Sequence, residues 1–415
     1  MKPGKTLLFV ITAIVLVLVS ACSNPFLQES VNSRNNRNSA NIATNENNTT
    51  DENNGDDEND ATNQDNENDE ENGDEESNIG PGSGTADDSF LVSTVDDLLH
   101  VGNPEPDTKY AEWGLDKYYK QTDDIDLVDV ANWTPIGSFT GSYDGDGHKI
   151  MNLTIAEYNK SSQGLFSNVG WPGVVKNLGL VDININITGN GNYIGGLAGN
   201  STGTIQNCYV SGSISGYDCV GGIVGRNYLK MLAPLSVIQN CYAVCEISAD
   251  SIGGGIVGIN RGIVQNCYAA GSVSAIGVSA EETDVGGVAG NSYGSLWNCV
   301  ALNKSVTSEV VDDPLIGRVV GYSNPLGVEN NYAWEGMTLK IGGDDKDPLE
   351  EDVDGVALSA SDIKDKSRWT NPDNWKTDEG AEVWDFTSTW VWDDTGVNMP
   401  SLKNCPALPW PAYLQ

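Results

Sequence analysis

One short phrase, written several times along the chain with small errors, sets the limits on what this sequence can fold into. Its most regular form is Gly-Gly-x-x-Gly-x-Asn, then an apolar residue, then Gln-Asn-Cys-Tyr-Ala, as between Gly254 and Gly271. The Asn of the second half recurs at Asn177, Asn207, Asn240, Asn266, Asn298 and Asn330, at intervals of 30, 33, 26, 32 and 32 residues. A unit of that length cannot bury its apolar face alone, but stacked units share a continuous core. The expected class is therefore all-β: a parallel β-solenoid, a right-handed β-helix or prism-like coil, with N- and C-terminal caps.

The units read as short strands. Val181 to Ile187 alternates apolar and polar residues with period two, which puts its isoleucines on a dry face and its polar residues on a wet one. Three strands per unit, separated by glycine turns, predict a coil of triangular section. Ile205, Ile238, Val264 and Leu296 share one register position and should stack in the core. Cys208, Cys241, Cys267 and Cys299 share another and should point inward as unpaired thiols acting as small apolar fillers. Tyr209, Tyr242 and Tyr268 then face outward, unless the strand turns a corner at the Asn. Asn207, Asn240, Asn266 and Asn298, stacked at such a corner, could run an amide ladder along the coil. Glycine pairs such as Gly221-Gly222 fit places where a side chain would crowd the neighbouring coil.

Five regions are expected. Residues 1–21 have the form of a secretion signal: Lys2 and Lys5, an apolar run from Leu7 to Val19, then Val19-Ser20-Ala21-Cys22. That tetrapeptide resembles the lipobox of bacterial lipoproteins. The resemblance implies cleavage before Cys22 and a lipid on that cysteine, which tethers a protein to a membrane surface without embedding it. Residues 22–88 form an acidic linker. From Ser23 to Asp88 there are 18 acidic side chains against Arg34 and Arg37, a composition that cannot bury enough surface to order itself. Residues 89–176 should hold the N-terminal cap and first coils, with Thr94 capping a short helix. The repeats proper run over 177–340, and 341–415 holds an acidic, loop-like insert and a Trp-rich C-terminal cap.

The chain carries a net charge of -37, of which about -23 lies on residues 89–415. Nucleic acid and anionic lipid surfaces need a basic footprint, so neither is expected as a partner. Membrane contact should come through the N-terminal lipid only.

Candidate sites lie where the repeat is broken. The insertion Tyr228 to Leu235 presents Tyr228, Leu229, Met231, Leu232 and Leu235 as an apolar contact, with packing against its own coil as the other reading. A second insertion runs from Ser279 to Asp284. Trp384, Trp390 and Trp392 could form a sugar platform, since aromatic faces suit pyranose rings, or could seal the open end of the stack. Asp144 and Asp146 read as a polar turn, a calcium-ligating pair or a carboxylate pair. Asp182, Asp218, Asp250 and Asp284 could line one edge and bind calcium or simply be solvated charge, so the metal question stays open. His100 and His148 are the two histidines, and no His-Glu-x-x-His occurs.

The phrase at Gly195 to Tyr209, Gly221 to Tyr242, Gly254 to Tyr268 and Gly286 to Cys299 resembles the GLUG motif of bacterial surface proteins, which occurs in adhesin-like proteins and beside IgA-specific metallopeptidases. Trp133 to Gly137, Phe139 to Ile155 and the ending at Trp384-Asp385-Phe386 and Trp410 agree with it. Val300, where Tyr is usual, and the acidic insert after Gly343 depart from it. The resemblance implies an exported β-solenoid tied to adhesion and supplies no catalytic residues. The expectation is a non-enzymatic adhesin or binding scaffold without a cofactor. It would be monomeric, lipid-anchored in the bacterial cell envelope and surface-exposed, and would recognise a surface protein or glycan. A glycan-binding or polysaccharide-acting β-helix protein and a structural spacer are the alternatives.

Overall fold

The computed structural model describes residues 82–277, 282–324, 327–348, 351–377 and 381–415. The chain divides into 1–75 and 76–415, and every described residue belongs to the second unit. The signal, Cys22 and the linker up to residue 81 lie outside the described residues, as do residues 279–281 of the second insertion.

The molecule is a parallel β-solenoid with four sides, not three. One coil runs through Thr204–Gln206, Tyr209–Gly216, Asp218–Gly221 and Val224–Asn227, and each strand joins a different sheet. Successive coils stack these strands into faces of nine, thirteen, five and seven strands among the described residues, here called the first to fourth faces. The triangular expectation merged Asp218–Gly221 with Val224–Asn227. Only Gly222 and Ile223 separate them, and that is enough to turn the chain.

Register is strict. Ile205 pairs with Ile238, Ile238 with Val264 and Val264 with Leu296, and all four are fully buried. Each such side chain contributes roughly 1.5–3 kcal/mol by leaving water. In the strand Gly179–Thr188, Ile183, Ile185 and Ile187 point into the core while Asn184 and Asn186 face out.

The corner between the first and second faces is made by the repeated Asn. Asn177, Asn207, Asn240, Asn266, Asn298 and Asn330 all adopt positive φ between 52° and 56°, a left-handed conformation that Asn tolerates far better than β-branched residues. The turn lets two consecutive residues part company. Cys208, Cys241, Cys267 and Cys299 enter the main core as unpaired thiols, and Tyr209, Tyr242 and Tyr268 leave it for a second cluster. Burial pushes the thiols of Cys208, Cys241 and Cys267 well above their ordinary pKa.

The expected Asn ladder is broken. Asn207 donates to Asn177 and Asn330 to Asn298, each at 3.1 Å. Asn266 instead donates to the Val383 carbonyl, and Asn298 to those of Lys376 and Glu382. Amide ladders run elsewhere. Gln239 donates to Gln206 and Gln265 to Gln239 at 3.2 and 3.0 Å, and inside the core Asn227 donates to Asn260 at 2.9 Å and Asn260 to Ser292 at 3.2 Å.

Caps close both ends. The helix Val95–His100 has Thr94 as N-cap in a full capping box with Asp97. Burial alone would raise the Asp97 pKa, but Lys109 at 2.8 Å and donors from Ser93, Thr94 and Tyr110 hold its carboxyl far below the usual range. At the other end the acidic insert is structured, contrary to the loop expected. Asp344–Asp345 pairs antiparallel with Thr338–Ile341, and Glu351–Asp354 is a helical turn. The expected short helix near Ala360 spans Ala360–Ile363 and is capped by Ser359.

The tryptophans do not seal an end. From Asn374 onward the C-terminal segment runs back along the Asn corner, opposite to the progress of the coils. Asn374 accepts from Asn330 and Tyr332, Glu382 and Val383 from Asn298 and Asn266, and Trp390 Nε1 reaches Asn240. Asn404 then lies beside Gly147 near the first coils. This strap covers a column of outward tyrosines, Tyr209 on Tyr242 at 5.0 Å and Tyr242 on Tyr268 at 4.8 Å, with near-parallel rings.

Candidate functional site

The Tyr228–Leu235 insertion leaves the corner between the fourth and first faces and does not fold back onto the coil. Met231 is 87% and Leu232 103% exposed, and Leu229 and Leu235 are exposed as well. Leu232 also holds positive φ of 65°, a conformation that sits poorly with a bulky apolar side chain. Tyr228 is half-buried, packed at the base of the loop.

That corner forms a continuous line across coils. Tyr228 N donates to Ser201 O, Arg261 N to Asn227 O, Tyr293 N to Asn260 O and Asn324 N to Ser292 O, at 2.7 to 3.0 Å. Residues at this turn therefore stack as regularly as those in the strands. Aromatic rings and cations collect here. Arg226 sits between the rings of Tyr193 and Tyr228, at 3.9 and 4.5 Å from their centroids, with its Nε donating to Asn200 Oδ1 at 2.9 Å. Arg261 lies 5.0 Å from the Tyr293 ring, and Lys230 lies 6.0 Å from that of Trp171. Trp171 and Tyr293 are 44% and 41% exposed. These residues occupy different places in their units and differ in type, so sequence reasoning took only Tyr228. Trp171, Tyr228, Arg261 and Tyr293 share a position, one or two residues after a fourth-face strand, while Arg226 lies within such a strand, Tyr193 in a third-face strand and Lys230 in the loop.

The other candidates are dispersed. Trp384 and Trp390 are 4% and 2% exposed and pack in the strap, their rings 4.5 Å apart, so neither is a sugar platform. Trp392 is half-buried against Trp369 and Phe386. Three of the four acids, Asp218, Asp250 and Asp284, lie along one edge, the corner into the third face, whereas Asp182 belongs to the second face. Among the described residues no group of three or more His, Cys, Asp or Glu is placed to hold a metal.

Asp144 and Asp146 form the polar turn. Asp144 Oδ1 accepts from the Asp146 N–H and from Asn177, Lys176 pairs with its other oxygen at 3.1 Å, and Lys120 pairs with Asp146 at 3.0 Å. A shallow cavity of about 480 Å³ opens beside this turn, lined by Asp124, Asp146, His148, Lys149 and strap residues Asn404 and Pro406. Its carboxylates are engaged, Asp124 by His148 and Lys149.

Asp250, Glu382 and Asp284 are shifted upward by burial, Asp284 the furthest. It is buried, accepts from Asn291 at 2.8 Å, and burial together with the neighbouring Glu282 pushes it up to about 7.

The GLUG motif matches residues 190–215, from the approach to the third face through the Asn207 corner into the second face. Halomucin of Haloquadratum walsbyi is 38% identical over 156 residues, 35% of this chain and 2% of that protein. A protein of Evansella cellulosilytica, provisionally named a Gly-rich membrane protein, is 31% identical over 138 residues, 31% of this chain and 15% of its own. The chain thus spans a small part of the length of either relative. A crystal structure of a Bacteroides ovatus protein, provisionally named an immunoglobulin A1 protease, superposes with a TM-score of 0.56 at 23% identity, covering 79% of this chain and 95% of that one. That likeness is one of fold. The chain accordingly carries a GLUG motif within a β-solenoid.

Proposed function

We propose that this protein is a non-enzymatic binding scaffold of the bacterial cell surface, an adhesin held to the envelope by a lipid on Cys22 and spaced from it by the acidic linker. It acts as a monomer, and its partner is a surface protein or glycan met through the Tyr228–Leu235 loop. The observation that carries the reading is that loop. Other exposed large apolar side chains are scattered along the chain, whereas Leu229, Met231, Leu232 and Leu235 are presented to solvent together within one loop, and such a group needs a partner to be worth its exposure. The likeness to a protein named for the membrane supports the location.

The test replaces residues 229–235 with a Gly-Ser segment of equal length in the full chain displayed on beads. Adherence to cells of the producing organism and to immobilised fibronectin, collagen and mucin is then measured. Loss of adherence by about tenfold or more is expected, as for removal of a binding hot spot. Unchanged adherence would end the loop's role, and no adherence with the native loop would leave the protein a spacer.

A further inference from the structure

We propose that the corner between the fourth and first faces binds an acidic polysaccharide, a chain of pyranose units carrying carboxylates at intervals, laid along the stacked coils. This deepens the surface-binding reading, rests on it, and assigns its ligand class.

Three features of the corner converge on that chemistry. The first is spacing. Backbone hydrogen bonds carry the coil register through the turn, so residues there recur at the strand separation of about 4.8 Å, close to the length of one pyranose unit along a glycan. The second is surface. Trp171 and Tyr293 stand exposed at the two ends of the line with Tyr228 between them, offering flat faces to the C–H edges of sugar rings. The third is charge. Arg226, Lys230 and Arg261 are held on aromatic rings, and none has a carboxylate within ion-pair distance among the described residues. Seven lysines elsewhere do find such partners, Lys109 with Asp97 and Lys176 with Asp144 among them. In a chain of net charge -37, three cations lined up without acids is an arrangement that suits an anion. A guanidinium clamped between two rings is already immobilised, so a carboxylate gains its hydrogen bonds without ordering the side chain.

The ligand is a glycan and not a nucleic acid because of the same net charge. A polyphosphate carries a charge on every unit and would be repelled along its whole length. A chain with uronates on alternate units, as in hyaluronan, places fewer charges and contributes stacking at each ring.

The full chain is tested by affinity electrophoresis and calorimetry against polygalacturonate, alginate and hyaluronan, with methyl-esterified polygalacturonate and a single-stranded DNA oligonucleotide as controls. Binding to at least one acidic polymer is expected, weakened about tenfold by each of Trp171→Ala and Arg226→Ala and weaker again for the esterified polymer. Arg226→Lys should recover only part of the loss, because an ammonium cannot fill the guanidinium slot between Tyr193 and Tyr228. No binding to any of the three, equal binding to DNA, or binding indifferent to both alanine variants would overturn the proposal. Trp171 and Arg261 lie outside the 229–235 loop, so the two readings fail separately. Loss of polymer binding in Arg261→Ala with adherence intact overturns the glycan as the surface ligand. Polymer binding retained when loop replacement leaves adherence unchanged sustains the corner site while ending the loop's role.

Discussion

Asp284 is a buried carboxylic acid, and it differs from the buried Asp97, which is ionised and paired. The fold favours its neutral form, with the pKa raised to about 7 by burial and by Glu282. An acid whose pKa is higher folded than unfolded lets the native state hold a proton that the unfolded chain has released. Its stabilising effect is therefore full below about pH 4, falls as pH rises, and is lost above about 7. Asp284→Asn should remove that slope. In urea titrations the variant should exceed the native protein at pH 8 by about 1 kcal/mol or more, with the two converging near pH 4. Parallel curves across that range would show that Asp284 titrates normally. The position could not be read from sequence, where Asp284 was one of four acids that could have lined an edge. Burial and the approach of Glu282 depend on how the insertion folds back. The repeated Asn was more legible: Asn is the residue that most readily turns left-handed after glycine, so a corner at Asn207 and its equivalents was already an option, and the corner decided which way Cys208 and Tyr209 point.

At the scale of the coil, one column of glycines limits how closely units stack. A Cβ on Gly222 would lie 2.1 Å from the Gly255 carbonyl oxygen, and a Cβ on Gly255 equally close to that of Gly287. Backbone occupies those places, so no rotamer relieves the clash. Gly255→Ala should lower the unfolding free energy by about 3 kcal/mol or more, measured in urea against Gly137→Ala, where φ is ordinary and an added Cβ would meet only the Leu115 side chain. A cost equal to the control would mean the coils can part without penalty. Arg318 takes the register place after Gly287, where the array stops and the Asp354 carboxylate receives the Arg318 N–H. The sequence made the glycine pairs legible as places of close approach. It did not reveal that they divide two faces, because a two-residue turn inside Val220 to Asn227 leaves the apolar pattern uninterrupted.

For the molecule as a whole, the strap changes how the solenoid comes apart. Stacked repeats contact only their neighbours and can be lost from an end one at a time. Here Trp375, Trp384 and Trp390 bind one tail to coils from Tyr332 back to Tyr242. Trp384→Ala should cost about 3–5 kcal/mol locally and split denaturation in two, with tryptophan fluorescence changing before the β-sheet circular dichroism. Coincident transitions would show that the strap is ornament to a stack stable without it. The tail's composition was plain from sequence, but its direction was not. A row of tryptophans after the last repeat is equally suited to an end or a side, and only Tyr209, Tyr242 and Tyr268, left outward by the Asn corner, say which.

The strap also counts. Its tryptophans and carbonyls meet tyrosines and asparagines of particular coils at fixed intervals, so it works as a gauge laid against the stack. A solenoid without such a gauge can gain or lose a unit by duplication and still close every hydrogen bond. In this one, an extra coil between Asn240 and Asn298 would slide Trp384 and Trp390 off their tyrosines, and the number of coils is thereby written into the tail.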